Sequence, residues 1–219
     1  MAALIAKWAT EEAAPTQMPA NPSATLTPTP TMTDAPADTP LTCPLEDEVR
    51  KREAAAVYEV AFSYANQPAR SLLISDRPAF HEQDIAWLSE EEREDPRFLE
   101  PYLAEISAET MAGFIAANTP PSRSVRPTLP IPHEFLPSSE IDHLLGEDPV
   151  SGWSRFDAKY PNSMGYWTVS QVGFDCDLTQ ALLFLRHVYG YAGMTGTFYL
   201  LNKEGGGWVV GDEFLFSEA

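Results

Sequence analysis

A chain of 219 residues has room for one domain of ordinary size, and 14 Lys and Arg against 32 Asp and Glu give it a formal charge of −18. That sign works against nucleic acid and anionic lipid headgroups, whose recognition rests on cationic side chains, so nucleic acid is disfavoured as a partner. No apolar run reaches the roughly 20 residues that a helix needs to cross the hydrocarbon layer, so no transmembrane segment is expected.

The chain opens with Met1-Ala-Ala-Leu-Ile-Ala-Lys7-Trp8, which lacks the basic leader and longer apolar core of a signal peptide. It reads either as the remnant of an export signal that starts upstream or as an ordinary terminus. Residues 1–43 hold seven of the 20 prolines, and Pro15 to Thr42 is almost wholly Pro, Thr, Ala, Ser, Asp and Asn. Such a segment cannot bury enough apolar surface to offset its backbone entropy. The expectation is a disordered Thr/Pro-rich tail or spacer over 1–43 and a single acidic domain over 44–219. Stalks of this composition often separate a domain from an exporting or anchoring N-terminus, which favours a secreted or surface-anchored location over a cytoplasmic one.

The first helix is predicted from Leu45 to Ala65, with Glu46, Asp47 and Glu48 complementing the dipole of its first turn. Val49, Glu53, Val57, Val60 and Tyr64 follow at spacings of three or four and form its inward stripe. Ser71 to Ser75 reads as a short strand and Ser89 to Asp95 as a solvated helix face. A helix from Ser107 to Ala117 presents Met111, Phe114 and Ile115 before Pro120-Pro121 stops it. Prolines at 127, 130, 132 and 137 exclude a central strand from 126–137 and leave an edge strand or an ordered loop. Ser139 to Leu145 and Gly152 to Tyr160 read as two short helices.

The last 55 residues carry four β-like runs, Gly165 to Phe174, Gln180 to Tyr189, Thr197 to Lys203 and Gly207 to Phe216. Their connections are too short for parallel crossovers, and Lys203-Glu-Gly-Gly-Gly207 is a hairpin signal. The fold class is therefore α+β, with a C-terminal four-stranded antiparallel meander packed against N-terminal helices. Ala181 to Leu185 is apolar on both faces, as a central strand requires. The core belongs here, because 14 of the 24 aromatic residues lie between 151 and 219.

Motifs for chemistry are sparse. There is no Gly-x-Ser-x-Gly elbow, phosphate loop, dinucleotide loop or His-Glu-x-x-His helix, so neither a metal nor a cofactor is expected. Asp175-Cys176-Asp177 is read as a turn whose aspartates bond nearby backbone. Arg186 and His187 on one strand, Asp212 on another, and Lys159 and Tyr160 before the first strand supply the residue types of a base, an anion clamp and an orienting carboxylate. They form the candidate binding set. Cys43 and Cys176 are not in a Cys-x-x-Cys pair and either form a disulfide or remain two thiols.

Phe156, Lys159-Tyr160-Pro161, Ser163, Gly165, Ser170, Val172-Gly173-Phe174, Gln180-Ala181-Leu182, Gly193, Gly196 and Trp208 form an ordered set. It resembles a family of exported bacterial proteins of unknown function. The resemblance implies a conventional exported domain and no catalytic assignment. The expected function is an extracytoplasmic binding or interaction domain on a flexible spacer, with an unidentified protein or small-molecule ligand. One alternative is a hydrolase using His187 with a carboxylate. Another is a cone-like small-molecule pocket under helices and a curved sheet, by architectural analogy with nuclear transport factor 2 or cystatin folds.

Overall fold

In the computed structural model the chain divides into two units, Met1–Thr39 and Pro40–Ala219, and every described residue belongs to the second. The described residues are 46–65, 72–79, 102–103, 105–118, 126–129, 131–146, 148–191 and 193–218. The tail over 1–43, Cys43 and the charged run 89–95 lie outside them.

Helix α1 (Asp47–Tyr64) carries Asp47 and Glu48 in its first turn and buries Val57, Tyr58, Ala61 and Phe62. This stripe is turned from the expected one, and Tyr64 is half exposed. Aromatic bulk decides the rotation: Phe62 packs edge-on against Trp167, with ring centroids 5.5 Å apart. Glu53 fixes the other end of the helix, its Oε2 accepting from Lys203 Nζ at 2.8 Å and Trp208 Nε1 at 2.9 Å.

Strand β1 (Leu72–Pro78) pairs in parallel with β2 (His133–Leu136), so the proline-rich segment supplies an edge strand, as proline chemistry allows. Between them in sequence comes α2 (Ala108–Asn118). Helices α3 (Ser138–Leu145) and α4 (Pro149–Lys159) follow β2. Asp148 caps α4 by accepting from the Val150 amide at 3.2 Å, and Pro149 suits the first helical turn, where no amide partner is needed.

The remaining strands are β3 (Tyr166–Val169), β4 (Gly173–Phe174), β5 (Gln180–Tyr189), β6 (Gly193–Glu204) and β7 (Gly207–Glu218). The expected run from Gly165 to Phe174 is thus two strands, both antiparallel to β5. Asn118 at the end of α2 causes the break. Its side chain accepts from the Gln171 amide at 2.9 Å and donates to the Gln171 carbonyl at 3.0 Å, taking backbone groups a continuous strand would give to the ladder. Gly205 and Gly206, both at positive φ, make the two-residue turn between β6 and β7.

Among the described residues seven strands form one mixed sheet in the order β2-β1-β3-β5-β6-β7, with β4 also on β5, and the fold is α+β with its antiparallel strands at the C-terminal end. Alternation along each strand sorts side chains to two faces. On the α1 face, Val57, Ala61, Ile74, Trp167, Leu183 and Leu201 belong to one apolar cluster. On the opposite face there are two clusters. Met111 and Phe114 of α2 cover Leu182, Phe184 and Phe198, while Ile141, Leu144, Trp153 and Phe156 of α3 and α4 cover Leu73, Leu136 and Tyr166.

Candidate functional site

A polar seam separates the two apolar clusters of the second face. Strand β3 contributes Tyr166 and Thr168, which share that face by alternation, and Thr168 lies directly across from Arg186 on β5. On its other side β3 meets β1, where Ile74 pairs with Trp167 and Pro78 with Val169. Ser75, Asp76 and Arg77 are therefore compressed opposite the single residue Thr168. Bulges of this kind bend a strand and re-aim its side chains. Here the bulge sends Arg77 to Asp142 on α3, with Nη2 donating to Oδ1 at 2.8 Å, and Asp76 to the Ser138 amide, also at 2.8 Å.

The seam grades from dry to wet. Ser75 is 0% exposed and Thr168 4%, whereas the Arg77 side chain is 41% exposed. Ser75 Oγ accepts from the Arg77 amide at 3.1 Å. The Thr168 hydroxyl is buried and has no hydrogen-bond partner within the protein. A hydroxyl left unmet in a folded interior costs on the order of 1–3 kcal/mol, a cost that an ordered water or a ligand offsets. The Arg186 guanidinium sits 5.7 Å from the Phe184 ring centroid. Burial raises the Tyr166 phenol above its ordinary range, the neighbouring Arg77 and Arg186 charges oppose that shift, and Asp142 adds to it.

Of the five residues singled out in the sequence, Arg186 alone belongs to this seam. His187 faces α1: its ring stacks on Trp167 at 4.3 Å between centroids, and its Nε2 donates to the Met164 carbonyl at 2.7 Å. Burial lowers its pKa, which keeps the imidazole neutral near pH 7. It belongs to a ladder of rings, Phe62, Trp167, His187 and Tyr189, that rises from the core to the surface. Asp212 is in register with Leu200 and, through it, Leu182, on the face opposite His187 and five residues along the sheet, roughly 16 Å. His187 and Asp212 therefore do not form a catalytic pair.

Lys159 and Tyr160 instead meet Glu140 at the α3–α4 hairpin. Lys159 forms an ion pair with Glu140, and the Tyr160 hydroxyl donates to the same oxygen at 2.7 Å. The Lys159 bond, then that of Tyr160, holds the Glu140 carboxyl below its usual range, and burial followed by Glu140 pushes the Tyr160 phenol up. In the β4–β5 turn, Asp175 accepts from the Thr179 and Gln180 amides at 2.8 and 3.0 Å and from the Thr179 hydroxyl, which is the turn role read from the sequence. Cys176 in that turn is disulfide-bonded; Cys43 is the chain's other cysteine. Among the described residues, no group of three or more His, Cys, Asp and Glu is placed to hold a metal ion, and no helix is long and apolar enough to cross a membrane.

No family model, curated protein or solved structure matches this chain. Residue geometry alone therefore carries the site. Ser75, Arg77, Tyr166 and Thr168 were missed in the sequence because no motif joins them. A usable signal existed in period-two alternation, which places Arg186 with Phe184 and His187 with Leu185, on opposite faces.

Proposed function

We propose that this chain is an extracytoplasmic binding domain whose ligand is held, without being transformed, at the polar seam of Ser75, Arg77, Tyr166, Thr168 and Arg186. The observation that carries this reading is the buried Thr168 hydroxyl without a partner, flanked on both neighbouring strands by arginine-bearing positions. Protein interiors rarely keep such a group unless a ligand or a water completes it. A hydrolase is the weaker reading, because His187 is committed to Trp167 and the Met164 carbonyl on the other face.

Location outside the cytosol draws support from the disulfide at Cys176, since such bonds persist in oxidising compartments. The Thr/Pro-rich N-terminal sequence and the resemblance to exported bacterial proteins point the same way, with residues 1–43 serving as spacer. The test of binding is an amide-resolved NMR screen of the full chain against a mixed library of neutral and charged small molecules. Ligands should perturb the Ser75, Thr168 and Arg186 amides and lose affinity in Thr168→Val. Hits confined to the surface around Tyr189 and Tyr191 would reject the seam. Intact mass of native-source protein after alkylation without reductant tests the compartment: two alkylated cysteines would reject it.

A further inference from the structure

Resting on the binding reading above, we propose that the seam receives a small anionic group, a carboxylate or a phosphate, which takes the place of Asp142 on Arg77. The chain holds only 14 Lys and Arg against 32 acidic residues, yet the bulge in β1 and the pairing of β3 with β5 bring two arginine positions to either side of Thr168. Guanidinium groups match carboxylate and phosphate oxygens through paired N–H donors, and Thr168 and Tyr166 add hydroxyls that can donate to the same oxygens.

Asp142 already demonstrates the chemistry from within the chain. Its carboxylate accepts from Arg77 Nη2 at 2.8 Å, at a contact where the two side chains are 41% and 65% exposed. An exposed pair of this kind is weak and exchangeable, so a competing anion that also reaches Thr168 displaces it readily. Arg186 contributes its charge to this field and needs no vacant hydrogen bond to do so. The formal charge of −18 sets the size limit: a polyanion is repelled by the whole chain, whereas a single anionic group need only replace the Asp142 carboxylate on Arg77.

The experiment titrates the full chain with acetate, its neutral isostere acetamide, and inorganic phosphate, at constant ionic strength, following amide shifts at Ser75, Thr168 and Arg186. Acetate or phosphate should give saturable shifts there, and acetamide none; which anion binds tells a carboxylate ligand from a phosphate one. Asp142→Asn removes the internal competitor and should tighten the anion by about two- to fivefold, the equivalent of a surface ion pair. Arg77→Met should abolish saturation, and Arg77→Lys should retain part of it. Unchanged affinity in Asp142→Asn, or anion shifts mapping elsewhere, overturns the inference. Binding of acetamide or other neutral molecules at the seam without acetate or phosphate overturns the anion assignment alone, and absence of any ligand at the seam overturns the binding reading with it.

Discussion

The two faces of one sheet are built on different terms. Against α1, alternate residues of β1, β3, β5 and β6 join one apolar cluster, and the polar groups that enter it are met: Tyr58 donates to the Ser170 carbonyl at 2.7 Å, and His187 to that of Met164. Against the other three described helices the apolar contacts divide in two, and Ser75, Thr168 and Arg186 lie along the division. The first face uses its side chains for stability. The second leaves the buried Thr168 hydroxyl without a protein partner, a departure from good packing that the first face does not show.

Substitution should separate the faces sharply. Leu183, fully buried on the α1 face, leaves a cavity when cut to alanine, and Leu183→Ala should lower the unfolding free energy by about 2–5 kcal/mol in urea titrations. Thr168→Val, on the opposite face, removes a hydroxyl that has no partner while keeping side-chain shape. It should leave stability unchanged or raise it, and a loss above about 1 kcal/mol would show that the hydroxyl is structural.

A smaller loss is expected where α2 crosses β4. A Cβ built on Gly173 would lie 2.2 Å from Phe114 Cα, and one on Gly113 2.3 Å from the Phe174 carbonyl oxygen, so the two glycines allow helix and strand backbones to touch. Gly173→Ala forces them apart and should cost about 1–3 kcal/mol, read as a lowered melting temperature. Because that contact also positions Asn118 on Gln171, the amide of Gln171 should exchange faster in the variant. An unchanged melting temperature would mean that α2 can shift without disturbing the sheet.

Much of this architecture was legible in the sequence, for identifiable reasons. Helices α1 to α4 announce themselves by apolar spacing and by Pro or acidic residues at their starts; the β6–β7 hairpin does so by Gly205 and Gly206. The seam was not legible, because it depends on register. Nothing local in Ser75-Asp-Arg77 reveals that three residues will stand opposite Thr168, or that Arg77 will reach α3. The parallel pairing of β1 with β2 and β3 is equally nonlocal, joining segments separated by about sixty to ninety residues. Grouping Arg186 with His187 failed on a simpler point, since neighbours in a strand face opposite ways.

Glu53 sharpens the comparison at the next level down. On the α1 face it holds Lys203 and Trp208 with a side chain 12% exposed, and the Lys203 bond leads the effects that lower its pKa. A carboxyl depressed in the folded state contributes stability that is present above its unfolded value, near 4.3, and is lost as pH falls through the folded one. Glu53→Gln should cost about 1 kcal/mol at pH 7 and flatten the stability profile below pH 4.5. A variant as acid-sensitive as the parent would place the anchoring elsewhere.

His187 should give the smallest effect, and its sign is opposite to that of a histidine held by a carboxylate. Burial against Trp167 lowers its pKa, and the bond to the Met164 carbonyl only partly offsets this. The unfolded chain, with an ordinary histidine near 6.5, therefore takes up a proton before the folded chain does. Stability attributable to this residue is level above the unfolded value and falls as pH drops below it, because protons favour the unfolded state. Urea unfolding at pH 7.5 and 5.5 should show a loss in the parent that His187→Gln reduces, by less than about 1.4 kcal/mol, the equivalent of one pH unit. The window lies above that of Glu53, so the two variants act at separable pH. If His187→Gln leaves the difference between pH 7.5 and 5.5 intact, the imidazole is not titrating as a buried neutral ring, and its place as a packed member of the α1 face fails.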